Sequence, residues 1–203
     1  MNSRDRLAPV RRGAAPSRVS DIPGRVFLDT CVINFTLDHG EAIHDGGSPI
    51  AGTPQRVRQD IEALRGLFMT GQRAAWQLAV SHFSYAEVVA TRDPARRRVL
   101  ESWFFEVWHR WQETVLAGHD LPSFGDAERM RLTLLSSGLL DVLSDMPDRL
   151  LLCDALAYRC ECFCTRDWSS LLRVRDGLTE LPIAILTPSE WWQRVRPWAA
   201  LWC

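Results

Sequence analysis

Short apolar runs alternate along this chain with longer stretches in which apolar residues recur every three or four positions. The first run, Val26-Phe27-Leu28, is rich in β-formers and stops at Asp29-Thr30, which predicts a buried parallel strand. Residues 76–80, 162–165 and 183–186 predict three more strands of the same kind. Between them the spacing turns helical. Thr53 as N-cap with Pro54 at the first helical position introduces Val57, Ile61, Leu64, Leu67 and Phe68. Ser81 or Ser84 is placed to cap a helix carrying Glu87, and Asp93-Pro94 opens a long helix containing Trp103, Phe104, Val107, Trp108 and Trp111. Two helical stretches, 126–137 and 139–145, are expected on either side of Gly138, and Pro147 restarts a helix through Leu151 and Ala155. A short helix over 168–174 follows, and Thr187-Pro188-Ser189-Glu190 begins the last one. Residues 38–52 and 118–125 read as loops.

Strands that alternate with helices need crossover connections, so the expected fold class is α/β. The architecture is a three-layer sandwich with a central parallel sheet of about four strands and helices on both faces. A length of 203 residues with 46% apolar content suits one such domain, over 25–203. Residues 1–24 hold five arginines, few large hydrophobes and three prolines, the composition of a flexible basic arm. The aromatic stripe on the long helix has the spacing of a core or dimer face.

Charge changes this picture little. A net charge of −1 does not mark the chain as a polyanion binder, so any nucleic-acid contact must be local. All 24 basic residues are arginine, scattered rather than clustered. No apolar stretch approaches the ~20 residues that span a bilayer, and the N-terminus has no apolar signal core. A soluble cytoplasmic protein without membrane contact is therefore expected. The six cysteines then read as reduced small hydrophobes, although Cys160, Cys162 and Cys164 alternate in a way that would align three thiols on one strand face.

The candidate chemistry lies at strand ends, where open parallel sheets gather their ligands. Asp29 ends the first strand, Glu87 follows the second by a short step, and Asp167 follows the strand at 162–165. Carboxylates brought together there repel one another and lose hydration, so a cluster calls for a cation. Oxygen ligands point to Mg²⁺ or Mn²⁺. Each acid also has a plain reading: a turn residue for Asp29, an exposed helix acid for Glu87, an N-cap for Asp167.

The segments Val26-Phe27-Leu28-Asp29-Thr30-Cys31-Val32-Ile33, Ser84-Tyr85-Ala86-Glu87-Val88, and Asp148 through Thr165-Arg166-Asp167 resemble the PIN domain, the family that includes the VapC ribonucleases of toxin–antitoxin pairs. The resemblance covers residues 25–190 in order. It implies a metal-dependent endoribonuclease with Asp29, Glu87, Asp148 and Asp167 as catalytic and metal-binding acids, and Thr30, Thr165 and Arg166 as supporting or substrate-facing residues. Asp148 stands nineteen residues before Asp167, which suits the family pattern, whereas the alternative third acid Asp154 stands only thirteen before it. The two lie about 240° apart around one helix and cannot serve together. RNA, single-stranded or tRNA, is the implied substrate, and a small antitoxin and a second copy are the implied partners. The Arg-rich arm, the 38–52 loop and the Trp-rich helix lengthen the chain beyond a compact toxin. Two other functions fit some of the same residues: a PIN-like binding module without catalysis, and a phosphatase using Asp29 as nucleophile, for which the acid usual two residues later is replaced by Cys31.

Overall fold

The computed structural model describes residues 21–117 and 121–202. Most of the basic arm, three residues of the 118–125 loop and Cys203 lie outside the described residues. Four strands form one parallel sheet: β1 (Arg25–Leu28), β2 (Gln77–Ala79), β3 (Cys162–Cys164) and β4 (Ala184–Leu186), in the order β2-β1-β3-β4. Phe27 pairs with Ala79 on one side and with Phe163 on the other, and Phe163 pairs in turn with Ile185. The strands are short and almost wholly buried, as expected when helices cover both faces.

Alternation along the strands divides the core in two. Val26, Leu28, Cys162, Cys164, Ala184 and Leu186 face a layer built from α1 (Thr30–Asp38), α2 (Gly40–His44), α3 (Gln55–Ala74) and α9 (Pro188–Val195). Phe27, Ala79, Phe163 and Ile185 face α6 (Phe124–Ser136), α7 (Met146–Ala157) and α8 (Leu171–Val174), with the Phe27 and Phe163 rings stacked at 5.0 Å. The expected three-layer α/β architecture is present. Cys160 precedes β3 and packs with the second cluster, so it does not share a face with Cys162 and Cys164. The thiol alignment expected from the alternating triplet is therefore not formed.

The aromatic helix α5 (Pro94–Leu116) closes the sheet at β2. Its first half places Leu100, Phe104 and Val107 in one core, and its second half places Trp111 and Val115 in the other. A helix wrapped along the edge removes the unpaired strand that would otherwise invite another chain. The stripe is thus mainly a core face.

Several boundaries shift, each for a local reason. α3 begins one residue later than expected, at Gln55, with Pro54 as the cap, and the Thr53 hydroxyl turns back to the Ile50 carbonyl at 2.6 Å. α6 begins early because Ser123 accepts from the Asp126 amide. The helix expected over 139–145 is a run of turns: Gly138 adopts φ +77°, and Arg149 of α7 reaches back to the Leu143 carbonyl and the Asp141 carboxylate. The 38–52 loop contains α2, whose Ile43 is buried and which Arg65 of α3 holds through the Ala42 and Gly47 carbonyls.

α3 and α9 cross at Gly66, where an added Cβ would lie 2.6 Å from the Trp192 ring. A glycine inside a helix ordinarily gains about 1 kcal/mol on replacement by alanine. Here the gain should be outweighed by overpacking, which typically costs 1–3 kcal/mol. Gly66→Ala is expected to lower the midpoint of thermal unfolding, and a rise would show that the helices separate freely at this crossing.

Candidate functional site

In the order β2-β1-β3-β4 the chain leaves β1 toward β2 on one side and returns to β3 on the other, so the crevice beyond the carboxyl ends of β1 and β3 is the switch point of the sheet. Asp29 sits there, 5% exposed, directly after Leu28. Its amide continues the ladder to the Cys164 carbonyl at 3.1 Å, and its carbonyl starts α1. Although it is the N-cap residue with extended backbone, its side chain makes no capping bond. The carboxylate instead accepts from the Thr165 hydroxyl and from the Cys31 thiol at 3.0 Å. Burial raises the carboxyl above the usual range, the two hydrogen bonds oppose this, and the charge of Asp148 adds to it.

Thr165 couples two of the acids, since it donates to Asp29 and accepts from the Asp167 amide at 2.9 Å. Ser170 takes the N-cap place expected of Asp167, which instead makes the turn ahead of it. The Asp167 Oδ1 accepts from the Ser169 amide and hydroxyl and from the Ser170 amide, an Asx turn that delays α8 to Leu171. Burial works against ionisation here, but these donors together hold the carboxyl below its usual range. Asp148, in the first turn of α7, accepts from the Ser170 hydroxyl. Burial raises its carboxyl, Ser170 opposes the rise, and Asp167, Asp145 and Glu87 add to it.

Glu87 reaches the same crevice from α4 (His82–Val89), which Ser81 caps by accepting from the Phe83 amide. The residue as a whole is exposed, yet the walls on its inner side raise its carboxyl through desolvation, with Asp29 and Asp145 adding to the rise. Thr30 lies beside it. The Thr30 hydroxyl is buried and makes no hydrogen bond of good geometry, although it is close enough to favour the charged form of Glu87. Asp148 therefore lies within electrostatic reach of Asp29, Glu87 and Asp167, Glu87 lies within reach of Asp29, and Asp145 contributes a fifth charge.

What distinguishes these acids is the absence of cations. Asp60 pairs with Arg166, Asp154 with Arg131, and Glu190 with Arg175. Among the described residues Asp29, Glu87, Asp148 and Asp167 have no such partner, only hydroxyl, thiol and amide donors. As placed, with their oxygens turned onto those donors, no three His, Cys, Asp or Glu side chains among the described residues are grouped closely enough to hold an ion.

Asp154 has a different position. It is 2% exposed, on the far side of α7 from Asp148, where it accepts from Ser81 at 2.5 Å and from Arg131 at 2.9 Å. This network ties the cap of α4 to α6 and α7, so the alternative third acid is occupied structurally. Arg166 supports the site from behind: its guanidinium donates to Asp60 at 2.9 Å and stacks on Phe35, while its amide donates to the Cys31 sulfur at 3.1 Å. Arg25 is at the opposite end of β1 and is held by Gln77 and the Tyr158 carbonyl. His82 is exposed and stacks on Phe83.

Ser169, Ser170 and Cys31 were not singled out by pattern. The Asp-x-Ser-Ser run after Thr165 carries a turn signal that could have pointed to the first two, whereas the Cys31 contact has none. Comparison with models of protein families, with curated proteins and with solved structures finds no match to this chain.

Two stability effects follow. A carboxyl raised on folding contributes most below its unfolded value near 4, and that contribution is lost as pH rises through the folded value. Asp29→Asn should therefore raise the unfolding midpoint at neutral pH, by about 2–4 °C per kcal/mol recovered, and the gap should close as pH falls toward 4. An unchanged or lowered midpoint at neutral pH would mean that Asp29 is not held at a cost. Arg131→Met strands the buried Asp154 charge and should cost about 3–5 kcal/mol in denaturant titration, with partial recovery in the double variant with Asp154→Asn.

Proposed function

We propose that this chain is a PIN-like, metal-dependent nuclease that hydrolyses RNA phosphodiester bonds. The observation that carries the reading is the set of four acids around the switch point of the sheet that have no cationic partner among the described residues, while the buried Asp60 and Asp154 outside it each have one. Charges of one sign at that spacing are tolerable when protonated or when a cation joins them.

The donor set suits Mg²⁺ or Mn²⁺: carboxylate oxygens from Asp29, Asp148 and Asp167, Glu87 alongside, and the unpartnered Thr30 hydroxyl as a further oxygen. Joining them to one ion requires Asp148 and Asp167 to release Ser170 and Ser169, a rotamer change at partly exposed side chains. When bound, such an ion supplies Lewis acidity toward a phosphate oxygen and toward water. The chain's own residues do the rest. Thr165 and Cys31 hold Asp29 in one orientation, and Ser169 and Ser170 fix the turn that presents Asp167. Glu87, open to solvent and with its carboxyl raised, orients the attacking water and takes its proton. Whether the biological role is that of a toxin depends on a small protein partner, which a neighbouring reading frame would reveal.

Purified protein with Mn²⁺ or Mg²⁺ should cleave RNA from a panel of single strands and tRNAs. Chelation, Asp29→Asn or Asp148→Asn should each lower the rate at least about a hundredfold. Mn²⁺ should also raise the unfolding midpoint of the native chain and leave that of Asp148→Asn unmoved, a readout independent of substrate choice. Cleavage by Asp29→Asn at the native rate would place the chemistry elsewhere.

A further inference from the structure

The turn between β3 and α8 has two sides. Asp167 faces the acids, while its neighbours Arg166 and Trp168 face α3, where they meet Asp60 and Arg56, one helical turn apart. The two contacts differ in kind. The part-buried Arg166 and the buried Asp60 complete each other, with Ser189 filling the second Asp60 oxygen at 2.6 Å. Trp168 remains 46% exposed, although the Arg56 guanidinium lies 3.1 Å from its ring centroid and covers one face. With one face covered in this way, the exposed part of the ring is left open to a further partner, on the residue that directly follows Asp167.

We propose that Trp168, backed by Arg56, is a platform on which an unpaired nucleobase of the substrate stacks next to the acidic crevice. This rests on the nuclease reading and names its substrate as single-stranded at the cleavage point. The chemistry of the pair suits a base and its phosphate together. An indole offers a flat apolar face that any base can cover, and a guanidinium on the opposite face adds a positive charge that a neighbouring phosphate oxygen needs. The acids themselves repel the backbone, so a cation at the rim is where phosphate approach is favoured. The platform is also preorganised: the Asx turn of Asp167 fixes the backbone on the C-terminal side of Trp168, and the Arg166–Asp60 pair fixes it on the N-terminal side. Little conformational freedom remains to be lost when a base arrives.

The test uses the full chain carrying Asp29→Asn, so that substrate is bound and not cut, with a fluorescein-labelled single-stranded RNA of roughly 16 randomised nucleotides followed by anisotropy. Adding Trp168→Ala should weaken binding about tenfold or more, Arg56→Ala several-fold, and Trp168→Phe should restore most of the affinity, with unfolding midpoints unchanged. Equal affinity with and without Trp168→Ala would overturn the platform and leave the nuclease reading standing. A fully paired duplex that binds as well, and loses as much on Trp168→Ala, would overturn the assignment of an unpaired base. Failure of the Asp29→Asn protein to bind any RNA, together with failure of the native chain to cut it, would remove both readings.

Discussion

β1 is hydrogen-bonded on both sides, and everything else in the fold is arranged around that constraint. Parallel neighbours cannot be joined by tight turns, so each connection must climb over a face of the sheet, and the connections that leave β1 toward β2 and β3 toward β4 diverge at the carboxyl ends of those two strands. Asp29 is the first residue past the last ladder pair, which places a buried carboxylate at the carboxyl end of β1 while its backbone remains tied to Cys164. The flanking acids arrive on separate elements: Glu87 on the helix after β2, Asp148 at the start of α7, and Asp167 in the turn after β3.

Charge is distributed in this molecule by a consistent division. Arginine neutralises acids that tie separate elements together: Arg131 fastens α6 to Asp154 on α7, Arg166 fastens the β3 turn to Asp60 on α3, and Arg175 fastens the chain beyond α8 to Glu190 on α9. Inside the crevice the donors are hydroxyls, a thiol and amides, which orient a carboxylate without cancelling its charge. Hydrogen bonding offsets only part of the desolvation of Asp29, and Asp148 bears the nearby charges of Asp167, Asp145 and Glu87 as well as partial burial. The clamps outside the crevice supply the rigidity that allows this unfavourable grouping to persist.

Two of these clamps, Arg166–Asp60 and Arg131–Asp154, also explain why neighbouring residues have unlike roles. Arg166 lies between Thr165 and Asp167 in sequence, but the extended turn sends it to the opposite side, where burial against Phe35 and Asp60 makes it structural. Asp148 and Asp154 share α7, yet one opens on the crevice and the other is enclosed with Ser81 and Arg131. In both cases residue type is uninformative and the face decides. Among the described residues no helix is long and apolar enough to cross a membrane.

Local chemistry is what the sequence alone determined. The four strands, the caps at Ser81, Asp93 and Thr187, and the position of Asp29 and Asp167 just past strand ends follow from period, branching and capping, which act within a few residues. Tertiary structure decided whatever depends on which groups compete for a partner across the chain. Arg149 takes the carbonyl and carboxylate that a helix over 139–145 would have left free, Arg131 claims Asp154, and the arginine expected to face a substrate is claimed by Asp60. The placement of Arg56 over Trp168, residues far apart in sequence, also comes only from packing α3 against the β3 turn. Periodicity reports which face of an element is apolar; it carries no information about which charged side chain from another element will reach that face, because that is set by helix crossings and strand order.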